Sequence, residues 1–190
     1  MTDCFALLAE PRRPWLDPAA LKDKFHRLGA EHHPDVTGKD GADFAAINTA
    51  YATLADPKTR VKHLLELEFP GAAVQGLQAP PPGITELFGT VARERRGAAD
   101  FLEKRATMRS PLEITLAAPE KLAARDALER LEEKLAQEQQ GFLTRLKALD
   151  TQWQEERRQP EALAEIHNGL SFTGKWLEQV RGDLARIAET

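Results

Sequence analysis

Two adjacent histidines and an aspartate, His32, His33 and Asp35, surround Pro34 where a helical pattern stops. Imidazole and carboxylate groups can bind a metal ion, transfer protons or make charged contacts with another protein. Neighbouring helical residues point about 100° apart, so the two histidines cannot face one ion, and His-Glu-x-x-His spacing is absent. No nucleophile is paired with a base, and no glycine-rich phosphate loop is present. We therefore predict a protein contact, with no metal, cofactor or catalytic residue; a helical metal-dependent enzyme is the weaker alternative.

The histidine segment is predicted to be a loop between two helices that pack antiparallel. Asp17 followed by Pro18 is typical of a helix start, and Pro34 disfavours helical geometry in the residue before it. Asp56 and Pro57 repeat the start signal for a further helix. Apolar side chains and one histidine recur at spacings of three and four along the two helices that flank the loop: Leu21, Phe25, Leu28 and His32 in the first, and Phe44, Ile47, Tyr51 and Leu54 in the second.

Basic side chains lie on the outward surface of the first of these helices. If its apolar stripe faces the core, Lys22 and His26 share one flank, which His33 joins if the helix reaches it. Arg27 points outward on another face, and the loop then presents the carboxylate of Asp35. A basic helix that leads into an exposed acidic loop suits a charged contact with another protein. The plainer interpretation is an ordinary solvated helix face.

The second half of the chain is predicted to be a helical bundle behind a linker. Residues 70–83 are rich in Pro, Gly and Ala, which is typical of an interdomain linker. Ser110 to Glu113 has the pattern of a capping box with proline at the first helical position. Apolar residues recur at helical spacing in three segments: residues 84–108, 119–160 and 163–187. Pro160 is predicted to end the second of these helices. The fold class predicted for the whole chain is therefore all-α.

The composition limits the classes of partner and of compartment. The formal net charge of -4 argues against nucleic acid or an anionic membrane as the main partner. No run of about 18 apolar residues is present, and the N-terminus does not have the pattern of a secretory signal. The single cysteine, Cys4, excludes an internal disulfide and a paired-cysteine zinc site. We expect a cytoplasmic protein, and the abundance of arginine and alanine indicates a bacterial genome.

The basic helix, His33-Pro34-Asp35 and the following helix together resemble a J domain. The segment "FAAINTAYATLADPKTRVKHLLEL", residues 44–67, is similar to the J domain of the HscB family of iron–sulfur cluster co-chaperones, in which IN-x-AY-x-TL-x-DP-x-x-R-x-x-YLL is typical. His63 stands where tyrosine is common in that pattern. The resemblance implies three parts: a J domain over residues 1–69 that folds as an antiparallel helical hairpin, a linker over 70–83, and a three-helix oligomerisation and scaffold-binding bundle over 84–190.

The resemblance implies a function without catalysis. J domains dock on the nucleotide-binding domain of a DnaK/HscA-type heat-shock chaperone and stimulate its ATP hydrolysis. The residues that match this contact are those of the loop and of the basic helix: His33, Pro34, Asp35, Lys22, His26 and Arg27.

The same resemblance implies that the bundle binds an iron–sulfur scaffold protein of the IscU type. The family's binding segment FLMEQ-x-x-LRE-x-L is similar to "FLEKRATMRSPLEI" here, residues 101–114, and Leu102, Ala106 and Arg109 are the predicted contacts. Substitutions in this segment remove apolar area, so a J-domain adaptor for a different client is the alternative. Phe172 and Trp176 lie beside the apolar seam of the last helix. They form either peripheral core or an exposed client surface.

Overall fold

The computed structural model describes residues 2–33, 41–70, 80–153 and 159–190. Every regular element in these ranges is a helix, which confirms the all-α prediction. In chain order the helices are α1 Cys4–Leu7, α2 Pro18–Glu31, α3 Ala42–Ala55, α4 Pro57–Glu68, α5 Pro82–Thr107, α6 Pro111–Leu116, α7 Ala118–Thr151 and α8 Pro160–Ala188.

Side-chain caps begin three of these helices where the sequence predicts them. The Asp17 carboxylate accepts from the Ala20 N–H at 2.8 Å, and Asp56 accepts from the Lys58 N–H at 2.8 Å. Ser110 forms a capping box at the start of α6. Such caps form because the first N–H groups of a helix have no partner within it.

The prediction that Pro160 ends the second bundle helix is wrong. That helix, α7, ends at Thr151, and Pro160 is the first residue of α8. A proline suits the first position of a helix, because its missing N–H would have no partner there and its fixed dihedral is already helical.

Two compact units make up the chain: one joins Met1–Ala79 with Leu143–Asn168, and the other joins Pro80–Phe142 with Gly169–Thr190. We call them the J unit and the bundle unit. The predicted limits at residues 69 and 84 stay a prediction, and most of the predicted linker, residues 71–79, lies outside the described residues. The J unit thus includes the end of α7 and the start of α8 as well as the predicted J domain.

Helices α2 and α3 of the J unit pack antiparallel. The ring of Phe25 stacks on Tyr51 with centroids 4.1 Å apart. A Cβ atom at Gly29 would lie 3.6 Å from the Phe44 ring, and His33 contacts the same ring edge-on at 5.3 Å. Residue numbers therefore rise along α2 as they fall along α3, which confirms the predicted hairpin.

The core of the J unit is closed by α1 and α4. The Cys4 N–H donates to His63 Nε2 at 3.1 Å, and the His63 ring stacks on Phe5 at 5.8 Å. Burial lowers the pKa of His63, so its neutral ring can accept this bond. His63 thus ties α1 to α4.

Three long helices form the bundle unit. Arg95 on α5 pairs with Asp183 on α8 at 2.7 Å, and Arg105 contacts Thr190 at 3.0 Å, so these two helices run parallel. Arg181 on α8 pairs with Glu132 on α7 at 2.6 Å. Farther along, Gly169 of α8 meets Phe142 of α7, so these two run antiparallel. This arrangement confirms the predicted three-helix bundle, to which α6 adds a short helix.

Gly169 is expected to be intolerant of any side chain. A Cβ there would lie 2.2 Å from the Phe142 ring, which is 6% exposed and packed against α8. Gly169→Ala should therefore destabilise the chain by about 1–3 kcal/mol, the range of overpacked cores. Urea unfolding measures this, with Gly174→Ala as the control. A Cβ at Gly174 meets only Gln139 Nε2, at 3.7 Å. Because alanine favours helix, that control should be neutral or stabilising, and equal stabilities of the two variants would contradict the prediction.

Candidate protein-docking surfaces

The basic flank of α2 is exposed to solvent. Lys22, His26 and Arg27 are all exposed, while Leu21 is buried at 2% exposure and Phe25 packs on α3. Lys22 and His26 lie one turn apart, as their spacing predicts. We call these three exposed side chains together the basic flank, although Arg27 lies on another face of the helix from Lys22 and His26. Lys22 and Arg27 place positive charge on the solvent side of α2.

A further lysine of α2, Lys24, makes contacts within the J unit. Its Nζ pairs with Glu10 Oε1 at 2.6 Å and donates to the Ala9 carbonyl at 2.9 Å. The lysine is therefore held against the end of α1 and its charge is compensated, so we leave it out of the basic flank.

The helix α2 stops short of the second histidine. It ends at Glu31, and the His32 N–H makes the closing bond to the Leu28 carbonyl at 3.0 Å. His33 therefore does not extend the Lys22–His26 flank along the helix; its ring lies on Phe44 of α3 instead. Pro34 and Asp35 lie outside the described residues.

Three aromatic side chains of the bundle unit contact one another. Phe172 lies 5.4 Å from the ring of Phe88 and 5.7 Å from that of Trp176, and Phe88 meets Trp176 at 4.8 Å in a perpendicular arrangement. Phe88 is 41% exposed, Phe172 is half-buried and Trp176 is 7% exposed. This aromatic cluster is thus buried at Trp176 and exposed at Phe88, and the client surface at Phe172 and Trp176 stays a prediction.

Sequence reasoning missed Phe88. The signal was present, because Leu87 and Val91 form the buried stripe of α5 and the next residue after Leu87 must point about 100° away from it. A large aromatic residue directly beside a buried stripe is a candidate surface anchor. That Phe88 contacts Phe172 and Trp176 of α8 could be found only from the structure.

The predicted contacts on α5 are not brought together with Phe172. Leu102 is half-buried, and Ala106 and Arg109 are exposed. Along the straight helix Leu102 lies 14 residues beyond Phe88, which is about 21 Å at 1.5 Å per residue. The α5 ring that Phe172 contacts is that of Phe88, at 5.4 Å. Leu102, Ala106, Arg109 and Phe172 therefore do not form one contiguous surface.

Three leucines that follow α5 along the chain have exposed side chains. Leu112 and Leu116 of α6 and Leu122 of α7 are 66%, 70% and 57% exposed. No residue of α6 is buried. We call these three leucines the corner patch.

The described residues were also compared with the patterns of metal sites and membrane spans. Among residues 2–33, 41–70, 80–153 and 159–190, no group of three or more His, Cys, Asp or Glu side chains is arranged to hold a metal ion. Within the same ranges no helix combines the length and the apolar character needed to cross a lipid bilayer.

The chain is similar to known proteins over part of its sequence and in its fold. No protein-family model matches the chain. The chaperone protein DnaJ of Caulobacter vibrioides is 37% identical over 86 residues, which are 44% of this chain and 21% of that protein. The mitochondrial J-type co-chaperone JAC1 of Saccharomyces cerevisiae is 35% identical over 52 residues, 27% of this chain and 28% of the relative. The chain therefore spans less than a third of either relative's length.

Among solved structures, the chaperone HscB from Vibrio cholerae matches with a TM-score of 0.59 and 23% identity, over 95% of this chain and 96% of that one. The resemblance is confirmed: over 95% of its length the chain has the fold of that chaperone, with a J domain and a C-terminal helical bundle, and part of its sequence is similar to J-domain proteins.

Proposed function

We propose that this chain is a J-domain co-chaperone that stimulates the ATPase of a DnaK/HscA-type heat-shock chaperone in the bacterial cytoplasm and has no catalysis of its own. The observation that carries the proposal is the antiparallel α2–α3 hairpin with its exposed basic flank, which leads into His33-Pro34-Asp35. The HscB fold and the similarity to DnaJ and JAC1 support the same conclusion.

The chemistry of these residues suits a chaperone contact. Pro34 fixes one backbone dihedral, so the segment loses less conformational entropy when it docks. The carboxylate of Asp35 can accept charge-assisted hydrogen bonds from a partner arginine. The basic flank steers the chain toward an acidic groove. His33 contacts Phe44, which holds the start of the segment against α3.

The proposed client is an iron–sulfur scaffold protein of the IscU type, bound at the aromatic cluster. Aromatic side chains that are partly exposed and supported from below are frequent anchors of protein interfaces. Phe88 and Phe172 supply the accessible rings, and buried Trp176 supports them. Delivery of this client to the chaperone would assist cluster assembly and transfer.

A J-domain adaptor for a different client is the second candidate, and one observation favours it. The corner patch consists of three exposed leucines on α6 and α7, which follow the predicted contacts Ala106 and Arg109 along the chain. A client that binds there would need apolar residues of its own.

The proposed function is tested by single-turnover ATP hydrolysis. A DnaK/HscA-type chaperone is loaded with ATP, and the hydrolysis rate is followed as the chain is titrated in, with and without the scaffold protein. We expect a saturable rise in rate with the chain alone. No rise at any concentration would overturn the proposal. A pull-down with the scaffold protein separates the two clients, because only the first candidate requires scaffold binding.

Charge reversal on the basic flank is expected to slow docking. Lys22→Glu or Arg27→Glu should lower the association rate with the chaperone on the order of tenfold, and raised salt should mimic this, because steering acts through screened charges. Stopped-flow association at low and high salt measures the effect. Lys134→Glu, an exposed lysine of the bundle unit, is the matched control and should associate as the wild type does. Association of the wild type that does not depend on salt would contradict the electrostatic role.

A further inference from the structure

The segment between α1 and α2 is held by a buried carboxylate from α7. Arg13 Nε donates to Asp150 Oδ1 at 2.8 Å, and Arg13 Nη2 contacts the second carboxylate oxygen. The Trp15 N–H also donates to Asp150 Oδ1, at 3.0 Å. Asp150 is 8% exposed, so most of its hydrogen-bonding capacity is directed to this segment. We call residues 12–16 the strap.

Two further contacts from the end of α7 reach the strap. Trp153 Nε1–H donates to the Arg12 carbonyl at 3.0 Å. The Lys147 ammonium lies 4.4 Å from the centroid of the Trp15 ring, a cation–π distance. Residues 147–153 therefore bind the strap through its side chains and through its backbone.

The core of the J unit holds the opposite side of the strap. Arg60 on α4 is 2% exposed, and its Nε donates to the Pro14 carbonyl at 2.9 Å. Its Nη1 donates to the Leu54 carbonyl at the end of α3, at 2.6 Å. The guanidinium also lies 5.6 Å from the Trp15 ring. The strap thus connects α7 with the two helices that follow the His-Pro-Asp segment.

The start of α8 makes a separate contact with α4. The Nδ1–H of His167 donates to the Lys58 carbonyl at 3.1 Å, one residue after the start of α4 at Pro57. The end of α7 and the start of α8, which belong to the J unit, therefore both contact the predicted J domain.

The strap leads directly into the basic helix. Asp17, the N-cap of α2, follows two residues after Trp15, so the bond from Trp15 to Asp150 lies next to the start of the helix that carries Lys22, His26 and Arg27. A change in the position of the strap changes where α2 begins.

We propose that Asp150 is a positioning residue for chaperone stimulation: by holding the strap, the end of α7 sets the place of α2, so that the docking activity of residues 2–70 depends on residues 143–168. The proposal rests on the proposed function. It assigns to the C-terminal half of the chain a part in chaperone docking besides client binding.

The test compares two buried carboxylates in the full chain. Asp150→Asn keeps the size of the side chain but removes the negative charge to which the N–H groups of Arg13 and Trp15 donate. Asp183→Asn is the matched control, because Asp183 is also 8% exposed and is also paired with an arginine, Arg95, but in the bundle unit. Both variants are assayed well below their melting temperatures for the concentration that gives half-maximal ATPase stimulation, and for hydrogen exchange of the α2 amides.

We expect Asp150→Asn to raise the half-maximal concentration on the order of tenfold, the loss typical of one charge-assisted hydrogen bond, and to speed amide exchange in α2. Asp183→Asn should change neither quantity, even where its loss of thermal stability equals that of Asp150→Asn. Asp150→Glu, which keeps the charge, should restore part of the stimulation.

Three outcomes would overturn the inference. The first is wild-type stimulation by Asp150→Asn, the second is an equal loss in both asparagine variants, and the third is unchanged exchange in α2. A wild-type chain that does not stimulate the chaperone at all would overturn the proposed function itself, and this result is distinct from the other three.

Discussion

Replacement of Asp35 by asparagine is expected to abolish stimulation of the chaperone ATPase while the chain stays folded. Asparagine keeps the shape of the side chain but removes the negative charge that a partner arginine would bind. Truncation of one member of a docked charge pair costs about 2–5 kcal/mol, so stimulation should fall on the order of 30-fold or more. Single-turnover ATP hydrolysis measures the loss, and urea unfolding should show a change below about 0.5 kcal/mol.

The matched control is Asp100→Asn, an exposed aspartate on α5 in the bundle unit. It removes the same charge from the chain, so a general effect of net charge on association would appear in both variants. Full stimulation by Asp35→Asn would remove the basis for the co-chaperone proposal. An equal loss in both variants would assign the effect to net charge.

The second large effect is expected at the aromatic cluster. Phe88→Ala and Phe172→Ala should each weaken binding of the scaffold protein by about 2 kcal/mol, or roughly thirtyfold, as interface anchors often do. Their effects on stability should differ: Phe88 is 41% exposed and leaves little cavity, whereas half-buried Phe172 also packs on Trp176. Titration calorimetry with the scaffold, together with thermal melts of both variants, separates affinity from stability.

The control for the client surface is Leu122→Ala. Leu122 belongs to the corner patch and is 57% exposed. It should leave scaffold affinity unchanged if the aromatic cluster is the anchor. Unchanged affinity in Phe88→Ala and a loss in Leu122→Ala would move the client surface to the corner patch. A large drop in melting temperature of Phe172→Ala, with wild-type affinity below the melt, would assign Phe172 to the core.

The sequence determined the features that depend on neighbouring residues. The starts of α2, α4 and α6 follow from Asp17, Asp56 and Ser110, because a cap satisfies N–H groups within its own first turn. The apolar stripes of α2 and α3 predicted the buried sides of the hairpin for the same reason, since one helical period relates residues three and four apart. The exposure of Lys22, His26 and Arg27 followed from the same stripe, because these residues lie off the apolar side of α2.

The prediction that Pro160 ends α7 was wrong, because proline occurs both after the end of a helix and at the first position of one. Pro160 occupies the first position of α8. The spacing of apolar residues does not distinguish the last turn of a helix from the residues that follow it.

Only the tertiary structure decided which distant residues meet. Asp150 binds a strap 135 residues away in sequence, and Phe172 meets Phe88 instead of Leu102. Sequence periodicity gives the face of a helix, but the register between two packed helices depends on how all their side chains interdigitate, and many registers share the same stripe. The sequence therefore could not predict that the J unit includes the end of α7 and the start of α8. This grouping depends on contacts between distant residues that form only in the folded chain.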